Sequence, residues 1–188
     1  DKSGFYVGAW GSTIKWIKDT PGVTAGSTEL DLYGGYKGTA GDFAYDMGFL
    51  RYEYSGNKLS ANPSYVNANT NEVYGAVTYG LFTAKYSHAI SNIFGNSNSK
   101  NSYYVDLSAT LDLGDGYSLV PHIGYQKIKN WDAGSYTDYA LTLAKDLGNG
   151  LSATAAVIGT DAKDGSYVSP AGKQLGKSGV VVGLKYAF

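Results

Sequence analysis

At 188 residues the chain has room for one domain, residues 1–188, and its net charge of −1 at pH 7 provides no basic surface for nucleic acid. The absence of Cys excludes disulfides, thiol catalysis and Cys-bound zinc together. No run nears the roughly 20 apolar residues of a membrane-crossing helix, so a membrane role would need a closed barrel of strands, the other fold that satisfies its backbone in lipid.

The 18 Tyr and 26 Gly suit that alternative: Tyr has an apolar body and a polar tip for an interface, and Gly is tolerated where a sheet curves. The sequence shows no signal-peptide pattern, so Asp1 is expected to be either a mature terminus or a cut in a longer chain.

About ten strand-like segments follow, none with a sustained helical period. Segment 4–16 sets Phe5, Val7 and Ala9 against Tyr6, Gly8, Trp10 and Ser12. In 28–38, Leu30, Leu32, Gly34 and Tyr36 oppose Glu29, Asp31, Tyr33, Gly35 and Lys37. Segment 42–54 sets Phe43, Tyr45, Met47 and Phe49 against Ala44, Asp46 and Gly48, and then turns Arg51 and Glu53 to the apolar side. Either those two lie above a membrane, or a bulge near Phe49 and Leu50 switches the face. Segment 72–79 has Val73, Val77 and Tyr79 against Tyr74, Ala76 and Thr78, and 81–90 has Phe82, Ala84, Tyr86 and Ile90 against Thr83, Lys85 and Ser87.

The second half is more regular. Segment 103–113 sets Val105, Leu107, Leu111 and Leu113 against Tyr104, Asp106, Ser108 and Asp112. Segment 117–129 sets Leu119, Pro121, Ile123 and Tyr125 against Ser118, His122, Gly124 and Gln126. Segment 138–147 sets Tyr139, Leu141, Leu143 and Leu147 against Asp138, Ala140, Thr142 and Ala144, and 151–160 sets Leu151, Ala153, Ala155 and Val157 against Ser152, Thr154 and Ala156. The last segment, 178–188, carries Val180, Val182, Leu184, Tyr186 and Phe188 on one face and Gly183 and Lys185 on the other. Strands of roughly 10 residues suit a bilayer, whereas soluble strands average about half that.

Connections alternate in kind. Tight turns are expected at Thr39-Ala40, Gly80, Gly114-Asp115-Gly116 and Gly148-Asn149-Gly150, where Gly, Asn and Asp supply positive φ. Long polar loops lie between them, at 18–27, 55–71, 91–101, 130–137 and 161–177. Short turns on one side and long loops on the other are the habit of outer-membrane barrels. The expected fold is therefore an all-β, antiparallel, up-and-down transmembrane barrel with about ten strands in this chain. It would sit in a bacterial outer membrane, termini periplasmic and long loops extracellular.

The stretch from Gly4 to Ser12, followed by Glu29-Leu30-Asp31-Leu32-Tyr33-Gly34-Gly35-Tyr36, resembles the proteobacterial TorF family of candidate porins. Tyr45-Asp46-Met47-Gly48, Ser178-Gly179-Val180-Val181 and the aromatic terminus are similar as well. The resemblance implies an outer-membrane channel, and two further strands before Gly4 that would bring the barrel to twelve. It supplies no binding residues. The closing strand resembles the signal read by the barrel-assembly machinery, carried here by Val180, Val182, Leu184, Tyr186 and Phe188.

The charges on the polar face are the candidate lumen lining: Glu29, Asp31, Lys37, Asp46, Lys85, Asp106, Asp112, Asp138 and Lys185, with His122 and Gln126 beside them. Unpaired burial of such groups is costly, so they must be hydrated or matched. One reading is a narrow channel for passive diffusion of small solutes, cationic or zwitterionic, favoured by the excess of acids and by the room that Gly8, Gly35, Gly48, Gly124 and Gly183 leave. The alternative is a side-chain-plugged barrel that serves as an anchor or displays its loops. About eight strands make a filled barrel and about sixteen an open porin, so this chain falls between.

His122 reads as a hydrogen-bonded filler and His88 as interfacial; Trp16 and Trp131 read as interfacial girdle, and Trp10 points inward. No Gly-x-Ser-x-Gly is present and no enzyme is expected. Asn67, Asn69, Asn71 and Glu72, or Asp161 and Asp164, lack the acid density of a calcium site, and no metal or cofactor is expected. The expected partners are outer-membrane lipid and lipopolysaccharide, the assembly machinery and small solutes.

Overall fold

The computed structural model describes residues 4–169 and 172–187. Among them the fold is all-β, with eleven antiparallel strands in one sheet. These are β1 (Phe5–Thr13), β2 (Thr28–Ala40), β3 (Phe43–Glu53), β4 (Thr70–Tyr79), β5 (Phe82–Ala89), β6 (Tyr103–Ala109), β7 (Leu111–Gly114), β8 (Tyr117–Lys127), β9 (Tyr136–Gly148), β10 (Leu151–Thr160) and β11 (Gly179–Tyr186).

Each strand pairs with its sequence neighbour, and β6 and β7 both pair with β8, so they share one place in the order. The interruption at Thr110 has a chemical cause. Ser108 faces His122 and Leu111 faces Leu119, so the break falls opposite Pro121, which has no N–H to give to the ladder. Strands β1 and β11 are the two edges of the sheet and do not pair with each other.

The first hairpin turns one step later than expected. Thr39 and Ala40 remain in the ladder, opposite Ala44 and Phe43, and Gly41 takes the positive φ of 58°. The other tight turns are as read, with Gly80, Gly114, Asp115, Gly116, Gly148, Asn149 and Gly150 all at positive φ. No bulge interrupts β3: its register on β2 and β4 is unbroken to Glu53 and Tyr52. Arg51 and Glu53 therefore stay on the apolar side at the loop end, where Arg51 Nη2 meets Glu53 Oε2 at 2.5 Å and Arg51 Nη1 donates to Asn71 Oδ1 at 3.1 Å.

The core lies away from the strands' mid-length. Its buried members, Ile17, Val23, Tyr54, Leu59 and Ala68, with Ala89, Ile93 and Ile128, come from the long connections and the strand ends that meet them. Phe94 packs against both groups. The loops read as polar thus fold into a cap over one end of the sheet, because isolated apolar residues in separate loops can reach one another there.

Trp16 and Trp131 belong to this cap rather than to a girdle: Trp16 packs edge-on against Tyr54 with centroids 5.4 Å apart, and Trp131 lies 5.9 Å from the Tyr167 ring. The loop asparagines are structural, since Asn69 Oδ1 accepts from the Tyr54 N–H at 2.9 Å and its amide donates to Glu53 at 2.8 Å.

Burial and the nearby Glu29 carboxylate raise the Tyr54 hydroxyl well above its ordinary value. A raised value means the cap's stability is complete below about pH 10, where the unfolded phenol is protonated, and is lost as pH rises beyond it. With Trp10→Phe and Trp131→Phe leaving Trp16 as sole reporter, its fluorescence should shift above about pH 10. The shift should move to higher pH in Tyr54→Phe.

Candidate functional site

The two faces of the sheet differ sharply. On one, side chains from β3, β4, β5, β6, β8, β9 and β10 converge with Phe94, Ala162, Tyr167 and residues 175–177 around a cavity of about 740 Å³. A second cavity of about 580 Å³ lies at the turn end of the same face, lined by Lys37, Thr39, Ala44, Asp46, Ala76, Thr78 and Thr83 among others.

The register brings the charges into one row across the strands. Lys37 faces Asp46, Asp46 faces Ala76, and Ala76 faces Lys85. Lys85 in turn faces Asp106, Asp106 faces Gly124, and Gly124 faces Asp138. Two clusters form within the row. In the first, Lys37 Nζ lies 3.6 Å from Asp46 Oδ2, and the Tyr6 hydroxyl donates to Asp46 Oδ1 at 2.5 Å. In the second, His122 Nε2 lies 2.6 Å from Asp106 Oδ2 and His122 Nδ1 lies 3.6 Å from Asp138 Oδ1. The Tyr104 hydroxyl donates to both oxygens of Asp138, at 3.1 and 3.0 Å.

Gln126 lines the larger cavity and donates to the Tyr103 carbonyl at 3.0 Å. Lys85 lines it too, its Nζ 4.7 Å above the centre of the Tyr74 ring.

Four candidates lie outside both the clusters and the larger cavity. Glu29 and Asp31 sit at the loop end of β2, opposite Ser12 and Trp10, and Asp31 Oδ1 is buried without a hydrogen-bond partner. Asp112 is at the turn end, accepting from the Gly114 N–H at 2.9 Å. Lys185 is on the exposed edge strand β11, opposite Ser152. Val180, Val182, Leu184 and Tyr186 share one exposed face of that strand, and Phe188 lies outside the described residues.

The glycines expected to leave space are filled. An ideal Cβ at Gly35 would meet the Tyr6 ring, at Gly48 the Tyr74 ring, at Gly8 the Tyr33 ring and at Gly124 the Tyr104 ring. Tyr6 faces Gly35, Gly35 faces Gly48, and Gly48 faces Tyr74, so two tyrosines lean over a glycine pair until their hydroxyls touch. Along β4 this Tyr6–Tyr74 contact lies between Glu72 of the larger cavity and Ala76 of the smaller one, with Asp46 as its anchor.

Glu72 was also missed as an inward residue. It starts the polar parity of β4 that continues through Tyr74 and Ala76, and it lines the large cavity while only 8% exposed. The alternation of segment 72–79 already points to it, since Glu72 shares the parity of Tyr74, Ala76 and Thr78. Among the described residues no group of three His, Asp or Glu side chains is placed to hold a metal ion.

The opposite face is apolar and exposed, and it is banded. Near the turns lies an aromatic row in which Phe5 packs on Tyr36 and Phe43 stacks on Tyr79, with centroids 4.9 and 4.8 Å apart. Near the loops lies a second, of Tyr86, Tyr103 and Tyr125, spaced 5.8 and 6.3 Å. Aliphatic side chains such as Val77, Leu107, Ile123, Leu141 and Val182 fill the band between, with Leu141 48% and Val182 76% exposed. His88 lies at the loop-end row, its Nδ1 2.9 Å from the Tyr86 hydroxyl.

An up-and-down antiparallel sheet with one charged face and one banded apolar face is the class that the fold and site define. The chain belongs to a bacterial family of proteins of unknown function (Gcw_chp), whose model matches residues 1–188. No curated protein and no solved structure matches it.

Proposed function

We propose that the chain is an outer-membrane β-barrel whose polar face lines a narrow path for passive diffusion of small solutes, cationic or zwitterionic. The observation that carries this reading is the aromatic–aliphatic–aromatic banding of the apolar face. Water penalises such a surface at roughly 25 cal/mol per Å², whereas a bilayer accepts it, with rings at the two interfaces. Strand length agrees: about ten residues rising ~3.3 Å each, tilted by ~40°, give roughly the 25 Å apolar height of outer-membrane barrels.

The sheet has ten places, so β1 and β11 run in opposite directions, the sense needed for the edges to join directly or through an even number of further strands. The TorF resemblance fits the same reading. On this reading the termini are periplasmic, the cap faces outward into lipopolysaccharide, and the machinery that inserts barrels reads the apolar face of β11.

Acids outnumber bases along the path, and a low-dielectric tube focuses their field, raising the local cation concentration. In planar bilayers under a salt gradient, small conductance steps with a cation-side reversal potential are expected. Asp31→Asn with Asp106→Asn should move that potential toward zero while the protein still inserts. An anion-side potential would overturn the charge assignment. Absence of any step in repeated insertions would favour the plugged barrel, a reading supported by the Tyr6–Asp46–Tyr74 contact.

A further inference from the structure

The charged groups around the 740 Å³ cavity are Glu72, Lys85, His122, Asp138 and Lys177. Three of the five have ion-pair partners: His122 lies between Asp106 and Asp138, and Lys177 Nζ is 3.5 Å from Asp164 Oδ1. Glu72 and Lys85 do not. Glu72 is more than nine-tenths buried, and among the described residues it has no hydrogen-bond or ion-pair partner. Lys85 stands opposite Ala76, four places along β4 from Glu72, and rests over the Tyr74 ring without closing an ion pair with Glu72. The wall around them is aromatic, from Tyr52, Phe94, Tyr104 and Tyr136.

Both charges open on the cavity without a direct partner, and their attraction across it offsets only part of the cost of holding them in a partly desolvated wall. One ligand can relieve both if it carries a cation at one end and an anion at the other. We infer that this cavity is a binding site for a small zwitterion, its ammonium on Glu72, its carboxylate on Lys85 and its apolar part against the tyrosines. The inference rests on the reading of this face as a solute path and names the solute class that would pause there. Charge-assisted hydrogen bonds at both ends give selectivity that a net-acidic tube alone cannot, because a simple cation leaves Lys85 unmatched.

The test is calorimetric titration of the detergent-folded protein at pH 6.5 with three probes of one shape: L-leucine, leucinamide and 4-methylpentanoate. Leucine is expected to bind weakly, and the amide and the acid each at least about tenfold more weakly. Glu72→Gln and Lys85→Met should each abolish the advantage of leucine. Lys85→Arg should retain it, and unchanged gel migration before boiling should show that every variant folds.

Equal binding of leucine and leucinamide, or full leucine affinity in folded Lys85→Met, would overturn the inference. So would failure of leucine to bind a protein that conducts in bilayers, and that outcome leaves the channel reading intact. Leucine binding with no conductance would uphold the site and contradict the path.

Discussion

Leu141→Arg will destabilise the bilayer-embedded protein by about 2–4 kcal/mol, the cost of a guanidinium on the lipid face near a barrel's mid-plane. Leu141 lies near the middle of β9, flanked across the register by Pro121 and Val157, and it is 48% exposed on the aliphatic band. In water the same change would be nearly neutral or helpful, since a half-exposed leucine gives way to a soluble side chain. The sign of the effect therefore reports which solvent the face meets. Thr142→Ser, one residue on and on the polar face, should cost much less. Urea titration of both variants folded into short-chain lipid vesicles measures the difference.

In the proposed channel, removal of the Tyr6 and Tyr74 rings together should raise single-channel conductance several-fold. The two hydroxyls meet over Gly35 and Gly48, at a level of the polar face between its two cavities. Conductance through a constriction follows its diameter and the groups that line it, so opening the narrowest point has more effect than widening either cavity. Tyr6→Ala with Tyr74→Ala removes both rings and leaves Asp46 facing Lys37. Tyr6→Phe with Tyr74→Phe, which keeps the rings and loses the hydroxyls, should change conductance little. Planar-bilayer recordings at fixed salt compare the three proteins, and equal conductance in all of them would place the narrowest point elsewhere.

Much of this was legible in the sequence because period-2 alternation is a one-dimensional signal. Val73, Val77 and Tyr79 against Tyr74, Ala76 and Thr78 mark both the strand and its faces, and the register preserves them. Gly114, Gly116, Gly148 and Gly150 mark their turns because only a few residues accept positive φ cheaply. Thr39-Ala40 misled because neither residue carries a turn preference, while Gly41 beside it does.

What stayed hidden depends on contacts between strands or loops. Ile17, Leu59 and Ile93 are lone apolar residues in polar stretches, and nothing along the chain shows that they meet in one cap. Gly35 and Gly48 looked like space because the tyrosines that cover them lie on neighbouring strands. Glu72 opens its segment beside the 55–71 loop, and nothing along the chain shows that it meets residues of six other strands around one cavity.

In the proposed barrel one face of the sheet meets lipid and the other meets water. The chain has no Cys, so single cysteines are clean probes. Leu141→Cys, Thr142→Cys, Leu143→Cys and Ala144→Cys, embedded in lipid vesicles, should be treated with a small membrane-impermeant thiol reagent. Thr142→Cys and Ala144→Cys are expected to react, and Leu141→Cys and Leu143→Cys to be protected. Equal reaction at all four positions, or reaction at the leucine positions alone, would contradict it.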